Sequence, residues 1–219
     1  MFHSCILPEV LSVLQNKYDA LAINGKNYAR YETIYFDTPD YEMYTKHHNG
    51  KLNRYKVRFR NYVDSGLTYF EIKFKSNKGR TVKSRIKMDN KNLSIGGNAQ
   101  KLLEDKTIYI ASSLVPAIQV NYNRITLVNK NMAERLTIDF GMNFTRGDQH
   151  IDLPNLIICE VKQERSGKSP FISIMRKKRI KCGSMSKYCL GIASMVNNVK
   201  INNFKSKVRY VNKILSSYA

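Results

Sequence analysis

A chain of 219 residues with 42% apolar and 25% charged residues has the composition of one folded domain with a real core, which excludes a disordered chain. No run reaches the ~20 apolar residues of a membrane span, and Met1-Phe2-His3-Ser4-Cys5 lacks a basic segment followed by an apolar one, so membrane-spanning and secreted classes are set aside. The 37 Lys and Arg against 17 Asp and Glu leave a formal charge of +20, which repels itself unless an anionic partner covers it. Nucleic acid is the commonest partner of so basic a domain, so the placement of the charges has to decide. Cysteines at 5, 159, 182 and 189 have no paired metal-ligand spacing, and they point to a reducing, cytoplasmic setting.

In chain order, Pro8 suits a helix start, and Val10, Leu11, Leu14 and Tyr18 follow it at helical spacing. From Tyr31 the period changes to two, predicting strands over 31–37, 51–63, 67–75, 81–88, 116–128, 133–140 and 155–164. Asp64-Ser65-Gly66 and Asn77-Lys78-Gly79 tolerate left-handed backbone, so the strands they join form an antiparallel meander. Helical spacing returns over 97–113, 168–178 and 184–197, and again near 206–217 in a polar segment opened by Asn197-Asn198. The fold class is α+β, dominated by one large antiparallel sheet.

Alternate residues of a strand share a face. Arg54, Lys56, Arg58 and Arg60 therefore project together, opposite Tyr55, Val57 and Phe59. Glu71, Lys73 and Lys75 share a face in the next strand, and Lys83, Arg85 and Lys87 in the third. Arg135, Thr137 and Asp139, then Glu160, Lys162 and Glu164, repeat the pattern later. Such a face could simply meet water. A solvated face mixes signs, whereas these first three strands place nine cations and one Glu on one side, where like charges opposite one another destabilise a sheet. If the sheet closes with its apolar face outward under the helices, the cations line a lumen that an anion has to fill. A polyphosphate chain meets that demand, because Arg binds its oxygens bidentately.

Other motifs carry less. His47-His48 stand before an Asn49-Gly50 turn signal and on opposite faces of an extended chain, so they read as loop residues. Gly167-Lys168-Ser169 has the ending of a P-loop, but Lys162 occupies the position where its first glycine belongs. Glu160-x-Lys162 by itself is more often an ion pair than a metal ligand. No Ser/His/Asp or Cys/His arrangement supports covalent hydrolysis.

The run Tyr31-Glu32-Thr33-Ile34-Tyr35-Phe36-Asp37-Thr38-Pro39, then Asn53-Arg54-Tyr55-Lys56-Val57-Arg58-Phe59-Arg60 and Glu71-Ile72-Lys73, resembles the polyphosphate polymerase (VTC) domain family, a branch of the triphosphate tunnel metalloenzymes related to the CYTH enzymes. The likeness continues through Tyr122-Asn123-Arg124, Glu134-Arg135-Leu136-Thr137-Ile138-Asp139, Glu160-Val161-Lys162 and Ser186-Lys187-Tyr188. It covers nearly all of residues 1–195.

This resemblance implies a tunnel of about eight antiparallel strands with flanking helices, over residues 1–197, followed by 198–219 as a polar tail or helix. It implies transfer of the γ-phosphate of ATP to a growing inorganic polyphosphate chain, with Mn²⁺ or Mg²⁺ as cofactor. Arg58 and Arg60 match the family's phosphate-gripping pair. Lys73 and Lys83 match tunnel lysines, with Lys87 competing for the second place. Tyr122, Arg124 and Arg135 match the far wall, Glu160 the metal ligand, and Ser186 with Lys187 a phosphate contact near the mouth. Arg58, Arg60, Lys73, Arg124, Arg135 and Glu160 are thus expected in catalysis. Arg54, Lys56, Lys75, Lys83, Lys87, Tyr122, Lys162, Ser186 and Lys187 are expected to bind substrate. ATP and polyphosphate are the implied partners, with no nucleic acid and with room for a membrane-bound partner. The family opens with a strand carrying an acidic residue and a lysine, and this sequence begins where that strand would be ending. Two alternatives stand beside the polymerase: a tripolyphosphatase or nucleoside triphosphatase using the same tunnel, and a non-catalytic polyphosphate or nucleic-acid binding module.

Overall fold

The computed structural model describes residues 1–89, 93–164 and 169–217. Gly167 and Lys168 of the P-loop-like ending, and the first residue of the helix expected from 168, lie outside them. The elements run β1 (Phe2–His3), α1 (Leu7–Leu14), β2 (Tyr18–Ala20), β3 (Ala29–Asp37), α2 (Glu42–His48), β4 (Arg54–Tyr62), β5 (Leu67–Lys75), β6 (Thr81–Met88), α3 (Asn98–Lys106), β7 (Val115–Asn129), β8 (Glu134–Arg146), β9 (Gln149–Leu153), β10 (Leu156–Gln163), α4 (Pro170–Lys177), α5 (Lys187–Met195) and α6 (Lys205–Ser216).

One antiparallel sheet has the order β1-β10-β8-β7-β3-β4-β5-β6, with β2 added to β7 and β9 to β8. The α+β class and the meander are as alternation predicts. Closure is not: among the described residues no ladder joins β6 to β1, so the sheet curls around a channel without becoming a barrel. The edge at β6 carries Lys83, Arg85 and Lys87, a charged strand of the kind that resists further pairing.

Several boundaries move for local reasons. β4 begins at Arg54 because Asn53 is left-handed, with φ of 52°, and its side chain accepts the Asn77 N–H at 2.9 Å. α3 stops at Lys106, where Thr107 is extended and its hydroxyl donates to the Leu103 carbonyl at 2.8 Å. β8 runs past 140 because Gly141, at φ 58°, forms a bulge opposite Asn121–Asn123 and lets the strand continue. Tyr18 belongs to β2 rather than to the first helix.

His47 and His48 sit in α2, not in a loop. The Asp37 carboxylate at the end of β3 accepts the N–H groups of Met43 (2.8 Å) and Tyr44 (2.9 Å), which caps the helix from outside its own segment. It also accepts the Tyr188 hydroxyl from α5. His48 is buried, and its ring accepts the Asn203 N–H at 3.0 Å.

The convex face of the sheet is apolar and covered. Val57, Phe59, Phe70 and Ile72 pack against Ala99 and Leu103 of α3, and Leu136, Ile138 and Ile157 pack against Val10 and Leu14 of α1 and Phe171 and Met175 of α4. A third core fills one end of the concave face. Ile118 stands opposite Tyr35, and Val120 opposite Phe144, so all four share a face; α5 lies on them. α6 buries Val211 and Ile214 in this same core, so the segment expected as a polar tail or helix is a helix with a packed apolar stripe.

Gly191 lets α5 approach the sheet. A Cβ there would collide with Ile118 Cδ1 and lie 2.9 Å from Phe144 Cδ1. Gly191→Ala is expected to destabilise the fold by about 1–3 kcal/mol through overpacking. Chemical denaturation measures this, and unchanged stability would mean that α5 is not seated so closely.

Candidate functional site

Beyond this core the concave face is ionic and bounds a cavity of about 730 Å³. The structure brings Lys56, Arg58, Arg60, Lys73 and Lys83 to it from β4, β5 and β6, and Tyr122, Arg124, Arg135, Glu160 and Lys162 from β7, β8 and β10. Ser186 and Lys187 reach it from the start of α5. Arg54, Lys75 and Lys87 do not line it. Arg54 donates to the Lys51 carbonyl at 2.5 Å, and Lys75 turns back to the Gly79 carbonyl. Lys87 lies instead against a separate depression with Asp89 and Ser94. All three share a face with the channel residues but stand too far along their strands. Of the two lysines competing for the second tunnel place, Lys83 lines the channel and Lys87 does not; Arg85 lines it as well, lying 4.8 Å over the Tyr69 ring.

Two carboxylates organise the wall from behind. Glu71 is fully buried and binds Arg58 Nε and Nη2 at 2.8 and 2.5 Å, and also Lys83. Asp139 binds Arg124 at 2.5 and 2.7 Å, and also Lys187. The Arg124–Asp139 pair is bidentate, which fixes the guanidinium's plane as well as its position, whereas both Arg58 nitrogens converge on one Glu71 oxygen, Oε2. Burial pushes the Glu71 carboxyl up, but Arg58, Arg60 and Lys83 outweigh it and bring the group down to about 2. Burial also opposes ionisation of Asp139, and Arg124 and Lys187 overcome that, holding it below the usual range. Both are therefore anions at neutral pH.

Aromatic rings hold further cations without neutralising them. Tyr31 stacks on Tyr122 at 5.2 Å, and Arg60 and Arg124 lie 5.5 and 5.2 Å over the Tyr31 ring. Among the described residues no carboxylate pairs with Arg60, Lys73, Arg85 or Arg135. Register adds a sharper conflict: Lys56 is directly opposite Lys73, which is directly opposite Lys83. Like charges directly opposite one another destabilise a sheet. Burial, reinforced by Arg58 and Arg60, pushes the Lys73 ammonium down to about 8. Burial likewise lowers Lys56 and Lys83.

Tyr35, hydrogen-bonded by Arg58 Nη1 at 2.9 Å, also faces the channel. Burial raises its phenol, yet Arg58, Arg60 and Lys56 together bring it down to about 7. Neither Tyr35, Glu71 nor Asp139 stands out from spacing, since each acquires its role from partners on neighbouring strands.

Glu160 is the carboxylate on the cavity wall itself, with 58% of its side chain exposed and Lys162 3.4 Å away. Among the described residues no three His, Cys, Asp or Glu gather as a metal cluster. A divalent ion here would have one carboxylate plus other oxygens. Magnesium-like ions accept that arrangement, since they keep several waters and take one or two carboxylates with phosphate oxygens. On the chemistry of the donors, the residues fit.

A family model described as the VTC domain matches residues 1–196. The chain belongs to the VTC domain family. One solved structure agrees on the fold: a candidate adenylate cyclase from Bacillus halodurans is 15% identical, with a TM-score of 0.53 over 87% of this VTC chain and 90% of that one. A candidate adenylyl cyclase from Hippeastrum, described as revealing a dominant triphosphatase activity, is 12% identical, with a TM-score of 0.48 over 87% and 93%. A comparison with curated protein sequences found no match. In this VTC domain no described helix is long and apolar enough to cross a membrane.

The depressed Lys73 and Tyr35 give binding a pH dependence with a fixed sign. In the empty channel Lys73 loses charge above about 8 and Tyr35 gains negative charge above about 7. A polyanion favours the protonated form of both, so binding takes up protons and weakens as pH rises, by up to roughly tenfold per unit for each group. Calorimetry with tripolyphosphate from pH 7 to 9 is expected to show this fall, less steep near 7 in Tyr35→Phe and above 8 in Lys73→Met. Identical slopes in all three proteins would contradict it.

Proposed function

We propose that this VTC domain binds ATP and inorganic polyphosphate in the channel and transfers the γ-phosphate of ATP to the end of the growing chain. The observation that supports this best is the cross-strand row Lys56-Lys73-Lys83 beside Arg60, Arg85 and Arg135, cations with a shared cavity and too few carboxylates. A linear phosphate chain supplies the missing negative charge along the whole row.

Phosphoryl transfer needs alignment and charge neutralisation more than covalent help. Arg58 and Arg124, held by Glu71 and Asp139, grip the triphosphate from the two strands that flank β3. Arg60, Lys73 and Arg85 absorb the charge that develops on the transferred group. The attacking oxygen is the ionised terminal oxygen of polyphosphate, so no protein base is required. Its lone pair forms the new P–O bond while the bridging oxygen between the β- and γ-phosphates leaves with its electrons on ADP. Lys56, Ser186 and Lys187 receive the phosphate chain at the α5 side. Lys56 already donates to the Ser186 hydroxyl at 2.8 Å, which keeps both turned inward. A divalent ion held at Glu160 would supply further neutralisation of the phosphate oxygens.

Incubation with ATP and Mn²⁺, with polyphosphate resolved by gel, is expected to yield polyphosphate from the native chain and none from Glu160→Gln, which stays folded. Release of free phosphate alone would favour the triphosphatase reading, and full activity in Glu160→Gln would remove that residue from the reaction. Separately, Arg58→Ala or Arg60→Ala is expected to weaken tripolyphosphate binding at least tenfold, the loss of about 1.5–3 kcal/mol for a charge-assisted hydrogen bond. Unchanged affinity would count against the channel as the binding site.

A further inference from the structure

Thr137 is 9% exposed, faces the channel, and its hydroxyl has no hydrogen-bond partner in the structure. A buried hydroxyl left unmatched is unfavourable, so an oxygen in that position is suited to a group that arrives later. Its neighbours indicate which group. Across the ladders Thr137 stands directly opposite Glu160 on one side and Thr126 on the other, and all three line the cavity. Directly opposed side chains have Cβ atoms about 4.5–5.5 Å apart, so the Glu160 carboxylate and the Thr137 hydroxyl can reach one ion. Two residues along the same strands, Lys162 is opposite Arg135, and this pair is placed to hold a phosphate beside that ion. Among the described residues the other buried channel hydroxyl without a partner, that of Tyr122, differs in setting: Lys187 lies 4.7 Å over its ring and Arg124 5.4 Å, so cations already occupy its surroundings.

We infer that Thr137 is a second protein ligand for the divalent cation at Glu160, bound directly or through one coordinated water, so that the site consists of a carboxylate, a hydroxyl and the oxygens of the bound phosphate chain. The inference rests on the reading that Glu160 holds an ion. Its chemistry follows a known economy, in which one Ser or Thr hydroxyl and one carboxylate hold Mg²⁺ against nucleotide phosphates. The low carboxylate count leaves the ion dependent on its substrate, so metal and polyphosphate bind together.

The test is the affinity for tripolyphosphate by calorimetry, measured with Mn²⁺ and with EDTA, in the native chain, Thr137→Val, Thr137→Ser and Glu160→Gln. Valine keeps the branched shape that suits a strand, and thermal melts check that it folds as the native chain does. The native chain is expected to bind more tightly with Mn²⁺. Thr137→Val should lose at least about tenfold of that enhancement, the scale seen when a group supporting a metal ligand is removed, while Thr137→Ser keeps it and affinity in EDTA stays unchanged. If Thr137→Val retains the enhancement and Glu160→Gln loses it, the Thr137 assignment falls and the Glu160 reading stands. If neither variant changes it, both fall. A loss in EDTA as large as that in Mn²⁺ would assign Thr137 to the phosphate or the fold instead and overturn the inference.

Discussion

Lys56, Lys73 and Lys83 face one another across three strands, and among the described residues only Lys83 of the three meets a carboxylate, that of Glu71. A sheet does not gain stability from such a row; it tolerates it because the apolar face behind is firmly anchored. Val57, Phe59, Phe70 and Ile72, alternating with the cations, are fully or almost fully buried under α3. Each contributes about 1.5–3 kcal/mol by leaving water, enough to hold the like charges of the opposite face in register. The strain is thus built into the same strands that supply the stability, and a polyanion relieves it.

Buried carboxylates set which cations are fixed and which remain available. Glu71 and Asp139 each bind an arginine and a lysine, and they convert flexible side chains into oriented ones. Because a buried ion pair returns little net stability, their value lies in geometry. Asp37 acts in the same way on the backbone: it joins the end of β3, the first turn of α2 and the Tyr188 hydroxyl of α5. That ties the helix carrying Lys187 and Tyr188 to the strand carrying Tyr31 and Tyr35. Burial raises the Asp37 carboxyl, against the pull of Tyr188 and the amides, so this junction protonates more readily than an ordinary carboxylate would as pH falls.

Much of this was legible in the sequence. Period-two alternation and the Asp64-Ser65-Gly66 and Asn77-Lys78-Gly79 turns locate the meander, and Gly66 and Gly79 are indeed left-handed at φ 63° and 75°. Alternation assigns a face but not a depth, however, so it could not separate Lys83 and Arg85 in the channel from Arg54, Lys75 and Lys87 beyond it. It also could not show whether the sheet closes, because closure depends on a ladder between strands far apart in the chain. α2 escaped because its cap is a carboxylate outside the helix and its entry is a left-handed Tyr41 at φ 59°, a conformation no pattern marks. β2 escaped because Tyr18 stands one helical turn beyond Leu14, and three residues paired to β7 carry little periodicity.

On the proposed function, the cations converge on a concavity that admits a single phosphate chain and excludes a duplex. A calorimetric titration with tripolyphosphate, repeated in the presence of short duplex DNA of equal total charge, tests it most directly. The expected result is one saturable site per chain that the duplex leaves largely intact. Displacement of tripolyphosphate by the duplex at matched charge would place the basic residues on an open surface instead of in a channel.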